Sequence, residues 1–250
     1  MKKRYDFIFG IGEACSCIQA LHKAKLQFNS YPFDWLFGTN FMGRCEILAN
    51  RFERFVEQDD LEDIHKTNLD THNLCEIYHN KYNDITFNHD FLVGHDLSET
   101  YTSVHEKYMR RISRLLNNID NSKYVLIVYI ETPVKNHAFV QDAELIKGLD
   151  IISRAFPNTN IDLLYFSNSN KKKEIINVSD NITRIFDNYK NKKSNLDYTV
   201  RNNILVKYLR KTKLILPLSV KIKRVSRNFA INIIPFKKIR HKLQRRYHVK

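Results

Sequence analysis

The chain has 250 residues, 43% of them hydrophobic and 12% aromatic, enough apolar side chains to bury one substantial core and too many for a disordered segment. Its formal charge of +14 is unevenly placed: residues 201–250 hold sixteen Lys/Arg and no acid, so the first two hundred residues set 25 basic side chains against 27 acidic ones. No apolar run approaches the roughly eighteen residues of a membrane-spanning helix, Asp6 and Glu13 interrupt what a secretory leader would need, and four cysteines without scaffold spacing fit a reducing, cytoplasmic compartment.

The first expected element is a strand in RYDFIFGI (4–11) that stops at Gly10 and Gly12. ACSCIQALHKAK (14–25) then sets Cys17, Ala20, Leu21 and Ala24 on one helical face. Residues 41–65 read as helix, with Phe41, Ile47, Leu48, Phe52, Phe55 and Val56 interleaved with charge, and a polar, His-rich stretch follows. Asn83-Asp84 introduces ITFNHDF (85–91), read as a strand ending at His89. Ser98 to Ile119 suits a helix, and YVLIVYI (124–130) is the strongest buried-strand signal. A helix near 139–155 and strands in IDLLYF (161–166) and ITRIF (182–186) continue the alternation, which predicts a layered α/β domain over 1–187, a central sheet flanked by helices. NYKNKKSNLD (188–197) reads as a polar linker, and 198–250 as a basic helical extension.

Cys15 follows the strand and a glycine turn and opens the helical pattern, where unpaired backbone N–H groups favour a thiolate and offer an oxyanion site. Cys17 falls on the apolar face and reads as core. A nucleophilic cysteine needs a base on another element, and His89 stands inside an apolar strand frame. His72, Cys75 and His79, at i, i+3 and i+7 of a possible helix, lack a fourth ligand, so no metal is expected. G-I-G-E-A-C holds half of a dinucleotide fingerprint without its third glycine, and no cofactor is expected either.

Four blocks taken together, GEACSC, NSYPFDWL (29–36), TFNHDF (86–91) and KYMRRISRLL (107–116) before a hydrophobic strand, resemble the DUF1796 family of papain-like cysteine peptidases over roughly residues 5–130. The resemblance implies Cys15 as nucleophile and His89 as general base, with Cys17 off the matching position. The third residue of such a site is Asp34 or, second, Glu131 just past YVLIVYI; Asp34 equally suits a turn-pinning role after Pro32, and Phe33 and Trp35 read as core. A papain-like domain would place its base on an antiparallel sheet, whereas 124–186 reads as parallel βαβ, so papain-like and other α/β hydrolase-like topologies both stay open. The family's link to surface-polysaccharide assembly implies an envelope glycan or peptide substrate.

In the extension, Leu205, Tyr208 and Leu209 form one apolar stripe and Ile222, Val225 and Phe229 another, with Pro217 and Pro235 dividing the segment. Basic amphipathic pieces suit an anionic membrane surface, at about 1 kcal/mol per Lys or Arg near lipid. Packing of these aliphatics on the body is the alternative, and nucleic acid is disfavoured because phosphate binding does not require them. The expected function is a cysteine hydrolase, peptidase or acyltransferase of cell-envelope polysaccharide metabolism, peripheral to the inner membrane; the alternative is a non-catalytic scaffold of the same assembly.

Overall fold

A computed structural model describes residues 4–68, 74–131, 139–168, 173–187 and 203–215. The linker at 188–197, the stripe Ile222, Val225 and Phe229, both dividing prolines and His72 lie outside these residues. The fold is mixed α/β, with a largely parallel sheet, a separate antiparallel sheet and helices packed against them.

The expected first strand is two pieces, β1 (Arg4–Tyr5) and β2 (Phe7–Gly10). Asp6 divides them because its carboxylate accepts the Lys123 and Tyr124 backbone N–H groups at 3.0 and 2.9 Å. β2 pairs in parallel with β7 (Tyr124–Ile130), which pairs with β8 (Asn160–Asn168), which pairs with β10 (Ile182–Asp187); β9 (Glu174–Ser179) closes the edge antiparallel. YVLIVYI is buried from Val125 to Ile130 because both faces of its strand are covered. One face, with Phe9, Ile127, Tyr129 and Tyr165, packs on helices α2 (Phe41–Ala49), α3 (Leu97–Asp120) and α4 (Asp142–Ala155). The other, with Ile8, Val128 and Phe166, packs on α1 (Ser16–Ala24) and on α5 (Asn203–Lys211).

Residues 203–215 thus begin the basic extension inside the fold. Leu205 and Leu209 are fully buried, and β11 (Lys213–Leu214) pairs in parallel with β1. The 3.6-residue stripe puts the leucines on the sheet and leaves Lys207 and Arg210 exposed.

The helix expected over 41–65 stops at Ala49. Arg51, Phe52 and Arg54 take positive φ, so the chain turns on itself and seats Phe52 and Phe55 against Phe33. β4 (Leu61–Asn68), β5 (Cys75–Asn80), β6 (Ile85–Leu92) and β3 (Leu36–Gly38) then form the antiparallel sheet, in the order β3-β6-β5-β4. Cys75 and His79 are therefore on a strand, not on a helical face, with Cys75 buried and His79 against Asp84 at 3.6 Å. β6 does not end at His89 but runs on to Leu92.

Candidate active site

The loop from Ile11 to Cys15 leaves the carboxyl edge of the parallel sheet, where ligands gather in open α/β folds. Its path is set by close packing at Gly12. A Cβ there would lie 2.5 Å from Cys17 Sγ and 2.9 Å from the Ile130 nitrogen, so only glycine fits. Ala14 follows in the left-handed region (φ 54°); its N–H donates to Leu36 O at 2.7 Å and its carbonyl accepts the Trp35 N–H at 3.3 Å. The loop is thereby stitched to the start of β3.

Cys15 caps α1 and is 8% exposed. Burial raises its thiol pKa, while its own backbone N–H acts in the opposite sense. Cys17, two residues on, is 3% exposed, as its place on the apolar face implies. Its sulfur donates to Val128 O at 3.4 Å, and burial pushes the thiol up to about 12 although the Gly12 and Ile130 N–H groups point at it.

His89 sits on an irregular stretch of β6. Between Glu76–Phe91 and Tyr78–Phe87, β6 takes four steps while β5 takes two, a bulge that turns side chains out of the regular alternation. Asp90 anchors the bulge on α3, accepting from Tyr108 Oη at 2.8 Å and pairing with Lys107. His89 is exposed and packs edge-on against Trp35, with ring centroids 6.1 Å apart. Partial desolvation lowers its imidazole pKa against the opposing pull of the Asp90 charge.

Trp35 is not the core residue expected from the sequence. It is half-buried, and at φ 76° it holds a conformation costly for a bulky side chain. Phe33, by contrast, is buried as expected. Asp34, 2% exposed, accepts the Tyr31 N–H at 2.7 Å and Gln27 Nε2 at 2.9 Å, so its carboxyl closes the turn that presents Trp35. Burial pushes its pKa up to about 7, against the pull of those two hydrogen bonds and of Arg111. Glu131 stands at the carboxyl end of β7, where Oε1 accepts Tyr165 Oη at 2.8 Å and Ser167 Oγ at 3.4 Å. Ser167 also accepts Arg184 Nε at 2.8 Å, and Arg184 bonds Asp142 and Val140 O.

The structure therefore sets the backbone of Ala14, next to Cys15, and the ring of His89 against one residue, Trp35, with Asp34 closing the turn before it. Glu131 joins Tyr165, Ser167 and Arg184 at the same carboxyl edge, directly after Ile130, whose backbone lies against Gly12. Among the described residues no group of three or more His, Cys, Asp or Glu side chains is placed to hold a metal, and no helix is long and apolar enough to cross a membrane. Arg44 escaped sequence reading although a signal existed: in FMGRCEIL it stands at the core-facing spacing of Phe41, Cys45 and Leu48.

Residues 6–163 match the DUF1796 family, described as "putative papain-like cysteine peptidase". A protein of Acanthamoeba polyphaga mimivirus named Uncharacterized protein R408 is 29% identical over 175 residues, covering 64% of this chain and 76% of the viral protein. No solved structure matches. With well over half of its length matched, and with the blocks around Cys15, Trp35 and His89 inside the matched span, the chain belongs to the DUF1796 family.

Proposed function

We propose that the protein is a cysteine-dependent acyl-transfer enzyme, a peptidase or related hydrolase, with Cys15 as nucleophile and His89 as general base. The observation that carries this reading is the shared seam: Ala14, the neighbour of Cys15, is bonded both ways to Trp35 and Leu36, and the Trp35 ring packs on His89. The protonation states suit the roles. Cys15, raised by burial, is a thiol at neutral pH and needs a base; His89, lowered, is an imidazole able to accept the proton. As the sulfur attacks an acyl carbon, its proton passes to His89. The tetrahedral intermediate then collapses, the imidazolium protonates the departing group, and a thioester remains on Cys15. Water, or an acceptor hydroxyl in a transferase, attacks the thioester, yields its proton to His89 and restores the thiol. Asp34 serves by holding the turn that delivers Trp35.

The substrate proposed is an envelope glycan or peptide precursor, met at the cytoplasmic face of the inner membrane. Support for the membrane part is the charge distribution, sixteen Lys/Arg and no acid over 201–250. A second reading, a scaffold with an unused cysteine site, is favoured by the low exposure of Cys15, 8%. Alkylation separates the two. Iodoacetamide should modify Cys15 of the wild-type protein at pH 7 about tenfold faster than Cys15 of His89→Ala, read by peptide mass spectrometry. Equal rates would remove the base from the mechanism and leave the scaffold reading.

A further inference from the structure

Arg44 lies in α2 with a side chain 0% exposed, a rare place for a charge. Nη1 donates to the carbonyls of Ile11 and Gly12 at 3.2 and 3.0 Å, and Nη2 to those of Leu36 and Gly38 at 3.2 and 2.9 Å. The first pair belongs to the loop that ends in Cys15. The second belongs to β3, whose Leu36 is paired with Phe87 of β6, two residues before His89. One guanidinium therefore joins the loop that ends in Cys15 to β3, the strand paired with the one that carries His89.

The remaining carbonyls of the loop are held as well. Glu13 O accepts Ser16 Oγ at 2.7 Å, Ala14 O accepts the Trp35 N–H, and Cys15 O accepts the Gln19 N–H at 3.0 Å. Because a trans peptide points its N–H away from its carbonyl, fixing Ile11 O and Gly12 O on Arg44 turns the next two amides the other way. The Gly12 N–H is accordingly found on the Cys17 sulfur. A lysine cannot replace this: its three protons radiate from one atom, whereas the planar fork reaches two separated carbonyl pairs.

We infer that Arg44 is the positioning residue of the site, the clamp that sets Cys15 against His89 by locking the 11–15 loop to β3. It touches neither reacting atom and acts only through the backbones it joins. The inference rests on the Cys15–His89 reading above.

The test is the pH profile of Cys15 alkylation by iodoacetamide in the full-length protein, measured for wild type, Arg44→Lys, Arg44→Gln and His89→Ala, with circular dichroism and thermal melts alongside. The expected wild-type profile carries an inflection that His89→Ala abolishes. In the Arg44 variants that inflection should vanish and the rate at pH 7 should fall by about tenfold or more, as for a displaced reacting pair, with secondary structure kept. A merely structural arginine would lower the melting temperature and leave the profile of the folded protein unmoved, which would overturn the inference. A wild-type profile indifferent to His89→Ala would instead defeat the Cys–His reading itself. Should neither Arg44 variant fold, hydrogen exchange on the wild type decides: the Ala14 and Trp35 amides should exchange only through global unfolding, and faster local exchange would show that the seam is not locked.

Discussion

Gly12→Ala is the sharpest test of how the loop is threaded. The added methyl would meet Cys17 Sγ at 2.5 Å, Ile130 N at 2.9 Å and Ile130 O at 3.1 Å. Two of those atoms are backbone of β7, a strand paired on both sides, and cannot swing aside. Overpacking of a tight site costs about 1–3 kcal/mol, and backbone obstruction argues for about 3. For a domain of this size that is a fall in melting temperature of roughly 6–12 °C. Thermal unfolding followed by circular dichroism reads it directly. Cys17→Ala should itself cost about 1 kcal/mol, yet the double variant should lose about 1 kcal/mol less than the sum of the two, since the sulfur clash is gone while the Ile130 clash stays. A Gly12→Ala melt within about 1 °C of wild type, or strict additivity of the pair, would refute the close approach.

Asp34 and α5 supply two more. The folded pKa of Asp34 is pushed by burial up to about 7, above its value in an unfolded chain, so between pH 4 and 7 the folded state holds the extra proton. Stability should fall as pH rises through that window, by up to about 1.4 kcal/mol per pH unit, and level off above it. Asp34→Asn keeps the acceptor for Tyr31 and Gln27 without the charge, so its melting temperature should gain on wild type from pH 5 to 8; a constant difference would contradict the burial argument. Leu209→Ala should cost about 2–5 kcal/mol in urea unfolding with an unchanged m value, whereas Lys207→Ala should stay within about 0.5. Equal effects would mean that α5 is not packed on the sheet.

Sequence reading succeeded where one physical rule acted alone. YVLIVYI coincides with β7 because a strand buried on both faces leaves an uninterrupted apolar run. α3 was legible because Val104, Tyr108, Ile112, Leu115 and Ile119 make one buried stripe. Phe52, Phe55 and Val56 misled because they extend the helical period of α2 while packing from turns, Phe52 and Phe55 meeting Phe33 and Phe87 in tilted and edge-on contacts rather than along one helix. The start of β6 after Asn83-Asp84 was read correctly, but nothing local announces the bulge in β6, which depends on register with β5. Trp35 was misplaced for a similar reason: its left-handed backbone is fixed by the Asp34 turn and the Ala14 bonds, neither visible as periodicity. For Cys15 and His89 the residues could be named from the family blocks, whereas the contacts of Ala14 and His89 with Trp35 depend on tertiary packing that no local pattern shows.

The short parallel pair of β1 with β11 bears on how the protein is born. Phe7 finds its sheet partner only at Val125, and Tyr5 finds Leu214. On a ribosome, therefore, the strand that launches the Cys15 loop emerges well before Val125 and Leu214, and the face that α5 covers closes later than the β2–β7 pairing. Stalled chains lacking residues 203–215 would leave open to solvent the part of this apolar face that Leu205 and Leu209 cover, a surface for chaperones.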